Sequence, residues 1–175
     1  MHIICCNETH LDEYQFVARQ SFIDAFEKVS EPESFKLYVD TAFLPDILRG
    51  DLLDAQTAIY FLKTRDGDTA GYVKLRWDRS DEFFPNEKAL ELQRIYLLEK
   101  YWRKGFGKIL LDFCEKYAHE HDFTWIWLVV WSKNYDAIRF YEREGWEKFA
   151  QKDFQFGNEI HHDPVLRKFL GNAKI

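Results

Sequence analysis

The chain has 175 residues, of which 46% are hydrophobic and 31% charged. This composition excludes a wholly disordered or collagen-like protein, and the length predicts one domain spanning residues 1–175. The net charge of −6 argues against a nucleic-acid-binding protein, because such proteins neutralise phosphates with Lys and Arg. Cationic partners are the better electrostatic expectation.

The N-terminal segment and the cysteines indicate the compartment. No apolar run approaches the ~20 residues that span a bilayer, and the first residues lack the basic start and long apolar stretch of a secretory signal. We therefore expect a cytoplasmic protein with no membrane partner. Cys5, Cys6 and Cys114 form neither a disulfide framework nor a CxxC zinc motif, which favours reduced thiols.

Three helices are predicted in the N-terminal third. Thr9, followed by an aspartate three residues later, resembles a capping box, and apolar residues then recur at helical spacing to about Lys28. Ser30, with Pro32 in the first turn, predicts the start of a second helix. A shorter third helix is predicted after Pro45.

Strands are predicted from Thr57 onward. Two β-branched and aromatic runs beginning at Thr57 and Thr69 are joined by Asp66-Gly67, a pair that suits a tight hairpin turn. The polar stretch that follows contains an acidic cluster that either attracts a polycation or keeps a loop hydrated, formed by Asp78, Asp81 and Glu82. The segment ALELQRIYL then predicts a further strand.

The second half predicts a strand–helix–strand crossover. Gly105 and Gly107 stand between the ALELQRIYL strand and a helix with one apolar face, and the segment 124–131 is apolar enough for a strand covered on both faces. Asn134 can cap another helix that Gly145 ends. Aromatic strands over 146–156 and 164–169 complete the chain.

The glycine segment RKGFGK is a candidate phosphate site, although a plain structural turn explains it as well. Glycines let the backbone turn tightly and leave unpaired amides at the positive end of a helix. A Walker loop is excluded because Ile109 follows Gly107-Lys108. A dinucleotide fingerprint is excluded because Leu110 occupies the place of its third glycine.

Two motifs together resemble those of the GNAT acyltransferases. They are IYLLEKYWRKGFGKILL, similar to the family's acetyl-CoA pyrophosphate motif, and NxxAxxFYxxxGW, which starts at Asn134. The segments SFIDAFE, ELQRIY, IWLVVWSKNYDAIRFYEREGW and FQFGNEIHHDPVLRKFL further resemble the bacterial PaiA group of polyamine acetyltransferases. The resemblance implies an α+β three-layer fold with a mixed, twisted sheet whose central strands are splayed and flanked by helices.

The resemblance also implies how acetyl-CoA is bound. Backbone amides at the helix start would bind the pyrophosphate, and these belong to Arg103, Lys104, Gly105, Phe106, Gly107 and Lys108. The strand edge at Ile95, Tyr96 and Leu97 would pair with the pantetheine amides, and the Leu97 amide would polarise the thioester carbonyl. Asn134 is implied as a pantetheine contact, and N-capping explains it equally well. Where the family carries Gln or Arg, this chain has Trp102, which either packs or stacks on the cofactor.

The reaction requires a base and an acid. An alkyl ammonium titrates near ~10, so an amine acceptor must lose a proton before it attacks a thioester. The resemblance implies Glu91 as that base, directly or through water, and Tyr141 as the acid that reprotonates the coenzyme A thiolate. Strand alternation places Gln93 on the face of Glu91, as a substrate-binding residue. A role in edging a partly exposed strand is the alternative for both side chains, and a core role is the alternative for Tyr141.

We therefore expect an acetyl-CoA-dependent N-acetyltransferase that acts on a small cationic amine, with polyamines as the first candidates. The alternatives are a non-catalytic acetyl-CoA-binding sensor or interaction module, and a protein or peptide N-acetyltransferase. No metal is expected, because His119 and His121 are about 200° apart on a helix. A surface location is expected for His161, His162 and Asp163. Because aromatic C-terminal strands often pair between subunits in related proteins, the resemblance implies a homodimer.

Overall fold

The structure, a computed structural model, describes residues 1–77, 83–156 and 159–171. The acidic cluster around Asp81 lies outside them. The α-helices of the described residues are α1 (Leu11–Phe26), α2 (Pro32–Ala42), α3 (Pro45–Leu53), α4 (Phe106–Glu120) and α5 (Tyr135–Arg143). The strands are β1 (His2–Cys5), β2 (Thr57–Lys63), β3 (Thr69–Arg76), β4 (Ala89–Leu97), β5 (Trp125–Val129), β6 (Glu147–Phe156) and β7 (Glu159–Phe169).

These strands form one sheet in the order β1-β2-β3-β4-β5-β7-β6. Neighbours are antiparallel except β4 and β5, which are parallel and joined through the crossover helix α4. Parallel neighbours need a long crossover, whereas the β2–β3 hairpin needs only the short turn at Asp66-Gly67. The predicted mixed sheet is confirmed.

Helices cover both faces of the sheet. On one face, α4 and α5 pack over a core that includes Leu75, Leu90 and Leu110. On the other face, α1, α2 and α3 pack over an aromatic core that includes Tyr14 and Tyr72. Each fully buried large apolar side chain stabilises the fold by about 1.5–3 kcal/mol. The sheet is therefore the middle layer of three, as predicted.

The N-terminal helix starts differ from the predicted ones. The side chain of Asn7, rather than Thr9, caps a short 3-10 turn at Glu8–His10 that leads into α1. Glu31, rather than Ser30, caps α2 by accepting hydrogen bonds from two backbone amides at 2.9 and 2.7 Å. A carboxylate or amide one or two residues away competes successfully with a hydroxyl for these amides.

Two strands also differ from the predictions, one because it was not predicted and the other because it is longer than predicted. The strand β1 was not predicted from its short segment HIIC, which pairs with β2 at the edge of the sheet. The strand β7 begins at Glu159, five residues before the predicted start, and extends a long hairpin with β6. Within the described ranges, no helix has the length and apolar character needed to cross a bilayer.

Candidate active site

The central strands β4 and β5 separate along their length. Their parallel pairing joins only Ala89–Glu91 of β4 to Trp125–Trp127 of β5. Beyond Glu91, β4 continues beside β3, whereas β5 continues beside β7. A gap therefore opens in the middle of the sheet, which confirms the prediction of splayed central strands.

Backbone groups of Ile95 and Leu97 face this gap. The Leu98 amide donates a hydrogen bond to the Ala70 carbonyl of β3 at 3.0 Å. Hydrogen bonding to an antiparallel partner alternates along a strand, so Leu97 and Ile95 direct their N–H and C=O groups away from β3. The same alternation turns the backbone groups of Tyr96 toward β3. Of the three residues implied as pantetheine partners, Ile95 and Leu97 present backbone groups to the gap.

A β-bulge at Gln93 changes which side chains share a face. The residues on either side of Gln93 lie opposite Lys74 and Leu75, which are adjacent in β3, so Gln93 is the extra residue. Glu91 and Gln93 line the same cavity, as alternation predicted. The bulge also places the Arg94 side chain on the cavity face of β4. In a strand without a bulge, this side chain would point to the opposite face.

After the bulge, β4 has one face toward the cavity and one toward α4. Tyr96 lines the cavity, whereas Ile95 and Leu97 pack against the core beneath α4. Gly107 at the start of α4 lies close to the Leu97 side chain, since a Cβ atom built there would be 4.0 Å from Leu97 Cδ1. After the bulge, one face of β4 therefore lines the cavity, and the other face lies beside the glycine turn at the start of α4.

The cavity has a volume of about 620 Å³ and lies on the α1–α2 side of the sheet. Its walls are largely aromatic, formed by Phe22, Phe26, Tyr38, Tyr96, Trp127, Trp131, Phe154 and Phe156. Charged side chains of both signs line it, namely Asp51, Glu91, Asp153, Asp163, Lys74, Arg76, Arg94 and Lys152. An aromatic cavity of this size with a few polar groups is typical of a small-molecule site.

Two of the three residues expected on the surface near the C-terminus line this cavity instead. Asp163 is 4% exposed, and its carboxylate accepts a hydrogen bond from the Ser132 amide at 2.8 Å. His161 stacks on Trp131 with ring centroids 6.0 Å apart. His162 does not line the cavity, and it pairs with Asp153 at the cavity's edge. The sequence predicted that adjacent side chains of β7 point to opposite faces of the strand. It did not predict that one of these faces lines a cavity.

A buried ion pair in the cavity was also missed by sequence reasoning. Lys74 Nζ lies 2.6 Å from Asp51 Oδ1, with side chains 5% and 19% exposed. Burial lowers the pKa of Lys74 to about 8, and the Asp51 carboxylate opposes that shift. The available sequence signal was a pair of cations inside apolar strands, Lys74 in YVKLR and Arg94 in LQRIY.

The start of α4 has the backbone features that a pyrophosphate requires. Gly105 precedes the helix with φ +80°, in the left-handed region, and no side chain caps the helix. The first amides of a helix have no intrahelical acceptor and lie at its positive end. These amides, beside a gap lined by free strand edges, fit the phosphate and the extended arm of acetyl-CoA.

Lys104 and Lys108, two basic side chains around this turn, contact other residues of the protein. Lys108 contacts the carboxylates of Asp112 and Glu144, the latter at 3.2 Å. Lys104 donates to the Lys100 carbonyl at 2.7 Å. Both lysine side chains therefore have partners within the protein, whereas no side chain caps the first amides of α4.

The side chain of Trp102 packs against the end of β4. Its indole N–H donates a hydrogen bond to the Leu97 carbonyl at 2.8 Å, and the residue is 36% exposed. Of the two alternatives for this residue, the geometry favours packing. The indole N–H therefore occupies the Leu97 carbonyl, which is one of the backbone groups that face the gap.

Tyr141 and Asn134 lie on the α4–α5 side. Tyr141 is 6% exposed, and burial raises its pKa, so its hydroxyl stays protonated at neutral pH. Burial also raises the pKa of Tyr96, which lines the cavity on the other side of the gap. Asn134 caps α5 by accepting from the Ala137 amide at 3.2 Å. Among the described residues, no three His, Cys, Asp or Glu side chains form a metal-binding group.

Comparisons with known proteins agree with this geometry. A family model described as "Acetyltransferase (GNAT) family" matches residues 18–146. An uncharacterized N-acetyltransferase of Lactobacillus delbrueckii subsp. lactis is 34% identical over 170 residues, which cover 96% of each chain. An L-ornithine N5-acetyltransferase of Arabidopsis thaliana is 35% identical over 95 residues, covering 51% of this chain and 38% of that protein.

A solved structure has the same fold. The PaiA N-acetyltransferase of Thermoplasma acidophilum in complex with coenzyme A superposes with a TM-score of 0.74 at 20% identity, covering 97% of this chain and 99% of that one. The family model covers most of the chain, and the gap, the glycine turn and the bulged strand lie within its range. The chain therefore belongs to the GNAT acetyltransferase family, as an N-acetyltransferase with acetyl-CoA as its co-substrate.

Proposed function

We propose that the chain transfers the acetyl group of acetyl-CoA directly to the primary amine of a small cationic acceptor bound in the cavity. The observation that carries this proposal is the bulged strand β4, whose two faces serve two sites. Glu91 and Gln93 face the acceptor cavity, while Leu97 lies beside the glycine turn of the cofactor side. The gap between β4 and β5 joins the two sites.

The cofactor side would hold acetyl-CoA through backbone groups. Amides from Arg103 to Lys108 would bind the pyrophosphate, and the gap-facing groups of Ile95 and Leu97 would pair with the pantetheine arm. The Leu97 amide would donate to the thioester carbonyl, where negative charge develops during attack. Asn134 would add a polar contact while capping α5.

The proton transfers would use one residue on each side of the gap. Glu91 accepts a proton from the acceptor ammonium, directly or through water, and the neutral amine then attacks the thioester carbonyl carbon. As the carbon–sulfur bond breaks, Tyr141 donates its hydroxyl proton to the leaving sulfur. The second proton lost by the attacking nitrogen then returns to the Tyr141 oxygen, directly or through water, and Glu91 releases its proton to solvent. Gln93 positions the acceptor, since an amide cannot act as a base.

Polyamines are the first acceptor class to test. The carboxylate of Glu91 on the cavity wall and the net charge of −6 support a cationic group in the acceptor. The plant relative named for acetylating L-ornithine supports a small amine as the acceptor class. The cavity has a volume of about 620 Å³ and is lined in part by aromatic side chains, which favours a small molecule over a protein substrate. We further propose a cytoplasmic enzyme with no nucleic-acid or membrane partner that forms a homodimer.

The first experiment is to measure thiol release from acetyl-CoA with purified protein and a panel of amines that includes spermidine, spermine and short diamines. Release that depends on the amine and disappears in the Tyr141→Phe and Glu91→Gln variants would support the enzyme. Binding of coenzyme A with no release for any amine would favour the sensor module. Release with basic peptides alone would favour a protein acetyltransferase.

A further inference from the structure

Arg94 places a positive charge at the cavity without an acidic partner. Its Nη1 atom is inaccessible to solvent and has no hydrogen-bond partner. Nη2 lies 3.4 Å from the Tyr38 hydroxyl, a long hydrogen bond, and the guanidinium carbon lies 5.2 Å from the centre of the Phe43 ring. Buried charges are normally paired, because desolvating an ion is costly. In the described part of the chain, no carboxylate lies within ion-pair distance of Arg94.

Asp51, a carboxylate that also lines the cavity, is already paired with another side chain. Asp51 forms its ion pair with Lys74, the residue opposite Arg94 in the β3–β4 register, and it also accepts a hydrogen bond from Tyr14 at 3.4 Å. One carboxylate thus faces two buried cations. The corner of the cavity around Arg94 has an excess of positive charge.

A second unpaired donor lies in the core beside Arg94, although it does not itself line the cavity. The Tyr72 hydroxyl is buried and has no hydrogen-bond partner. Burial raises the pKa of Tyr72 to about 12, while Arg94 opposes that shift, so the hydroxyl remains a donor at neutral pH. A guanidinium fork beside a phenol hydroxyl matches the planar, two-oxygen geometry of a carboxylate.

The acceptor's amine and its anionic group can be bound at opposite ends of the cavity. Glu91 lies opposite Arg76 and Arg94 lies opposite Lys74, two residues apart on β3, which corresponds to about 7 Å along the strand. Glu91 and Asp163 attract an ammonium group at one end, and Arg94 attracts an anion at the other. A molecule with a few carbons between the two groups spans this distance.

We propose that the acceptor carries a carboxylate in addition to its reactive amine, as a diamino acid does, and that Arg94 binds this carboxylate. The carboxylate would displace the Tyr38 hydroxyl from Nη2 and would accept hydrogen bonds from the guanidinium. The inference rests on the proposed acetyl transfer and narrows its acceptor class, since polyamines have no carboxylate.

The test compares each diamino acid with the diamine that differs from it only by the carboxylate. Lysine is paired with 1,5-diaminopentane, and 2,4-diaminobutyrate with 1,3-diaminopropane, in a thiol-release assay with acetyl-CoA. We expect kcat/KM to be at least about 10-fold higher for one or both diamino acids than for their diamines. Equal or faster turnover of the diamines would overturn the inference while leaving the acetyl transfer intact.

Variants then assign the preference to Arg94. Arg94→Gln is expected to lower kcat/KM for the diamino acid about 30-fold, mainly through KM, and to bring its ratio to the diamine near 1. Arg49→Gln, at an exposed arginine on α3, is the control and should keep the ratio. A ratio unchanged in Arg94→Gln contradicts the assignment. If that variant does not fold, Arg94→Lys, which keeps the positive charge but removes the two-donor fork, should still lower the ratio several-fold. An unchanged ratio in Arg94→Lys also contradicts the assignment.

Equilibrium binding separates this inference from the proposed function. If no amine is turned over, acetyl transfer to small amines fails, and titration calorimetry with coenzyme A present still measures acceptor binding. Tighter binding of diamino acids than diamines that is lost in Arg94→Gln supports the carboxylate site. Binding of neither, or of both equally, rejects it.

Discussion

The indole N–H of Trp102 donates a hydrogen bond to the carbonyl of Leu97 at 2.8 Å. Residue 102 precedes the glycine turn, and Leu97 ends the strand that forms the edge of the gap. The hydrogen bond therefore fixes the turn relative to the strand. It also uses a carbonyl that would otherwise be available to the pantetheine arm.

Replacing Trp102 with Phe removes this donor and keeps an aromatic ring. Because a net hydrogen bond contributes about 1 kcal/mol, we expect KM for acetyl-CoA to change roughly 5-fold, with a smaller effect on kcat. A rise in KM means that the tether orders the turn, whereas a fall means that the released Leu97 carbonyl binds the cofactor better. We expect the rise. Phe16→Leu, at an exposed aromatic on α1, is the control, and an unchanged KM in Trp102→Phe would contradict the tether.

Gly71 is required by the approach of β3 to the end of β4. A Cβ atom there would lie 2.2 Å from the Tyr96 carbonyl oxygen and 2.9 Å from Leu97 Cα, both backbone atoms that cannot move without shifting the strand. We expect Gly71→Ala to lower the free energy of unfolding by about 2 kcal/mol and to weaken coenzyme A binding.

Gly50 provides the matched control for this substitution. It lies inside α3, and a Cβ atom there would meet nothing within 4 Å. Gly50→Ala should therefore stabilise the protein by about 0.5–1 kcal/mol. Chemical denaturation of both variants measures the difference, and equal effects of the two substitutions would rule out the steric account of Gly71.

Sequence patterns predicted the fold well because its periodicities are strong. The helical stripes of α1 and α4, the hairpin turn at Asp66-Gly67 and the apolar run of β5 each correspond to an observed element. The short edge strand β1 has only four residues, too few to show alternation. The single-domain organisation remains a prediction.

The candidate site was only partly predictable, because one bulge rearranges it. Alternation correctly placed Glu91 and Gln93 together, but it cannot locate an extra residue in one strand. Arg94 and Tyr96 reach the cavity through that bulge. Asp163 reaches it because β7 extends further toward its N-terminus than the aromatic pattern indicated. Pairing between distant strands determines both features.

Removing Asp51 should leave Lys74 buried without its counter-ion. The pKa of Lys74 is already lowered to about 8 in the folded protein, below the ordinary lysine value, so the charged lysine opposes folding at neutral pH. The stability that this group contributes therefore increases as pH rises from about 8 toward 10.5. Asp51→Asn lowers the folded pKa further, and we expect it to destabilise the protein by about 3 kcal/mol at pH 7.

The pH dependence distinguishes the lost charge pair from lost packing. Above pH 8, Lys74 is neutral in both proteins, so the deficit of Asp51→Asn should shrink by about 1 kcal/mol or more between pH 7 and pH 9. Denaturation at both pH values provides the measurement. The Asp51→Asn, Lys74→Met double variant should show a smaller deficit at pH 7 than the single variant. A deficit that stays constant with pH would mean that the pair contributes through packing alone.

Tyr141 should act on the leaving group rather than on cofactor binding. Because its hydroxyl is buried and protonated at neutral pH, Tyr141→Phe is expected to lower kcat roughly 100-fold with little change in KM for acetyl-CoA. A thermal melt within a few degrees of the wild type excludes a packing defect. Tyr117→Phe, which retains a ring on α4, is the control. A loss of acetyl-CoA affinity equal to the loss of rate would assign Tyr141 a binding role instead.

Glu91→Gln tests the proposed base through the pH dependence of the reaction. Without a carboxylate, only the small fraction of acceptor that is already neutral can react, and that fraction increases tenfold per pH unit below the amine pKa of about 10. We expect the variant to lose roughly 100-fold in kcat/KM at pH 7 and to recover steadily toward pH 9.5. Glu91 lines the cavity beside Gln93, so Gln93→Glu in the same background is a candidate rescue that returns a carboxylate to this face. A uniform loss at every pH would show that Glu91 holds the acceptor without accepting its proton.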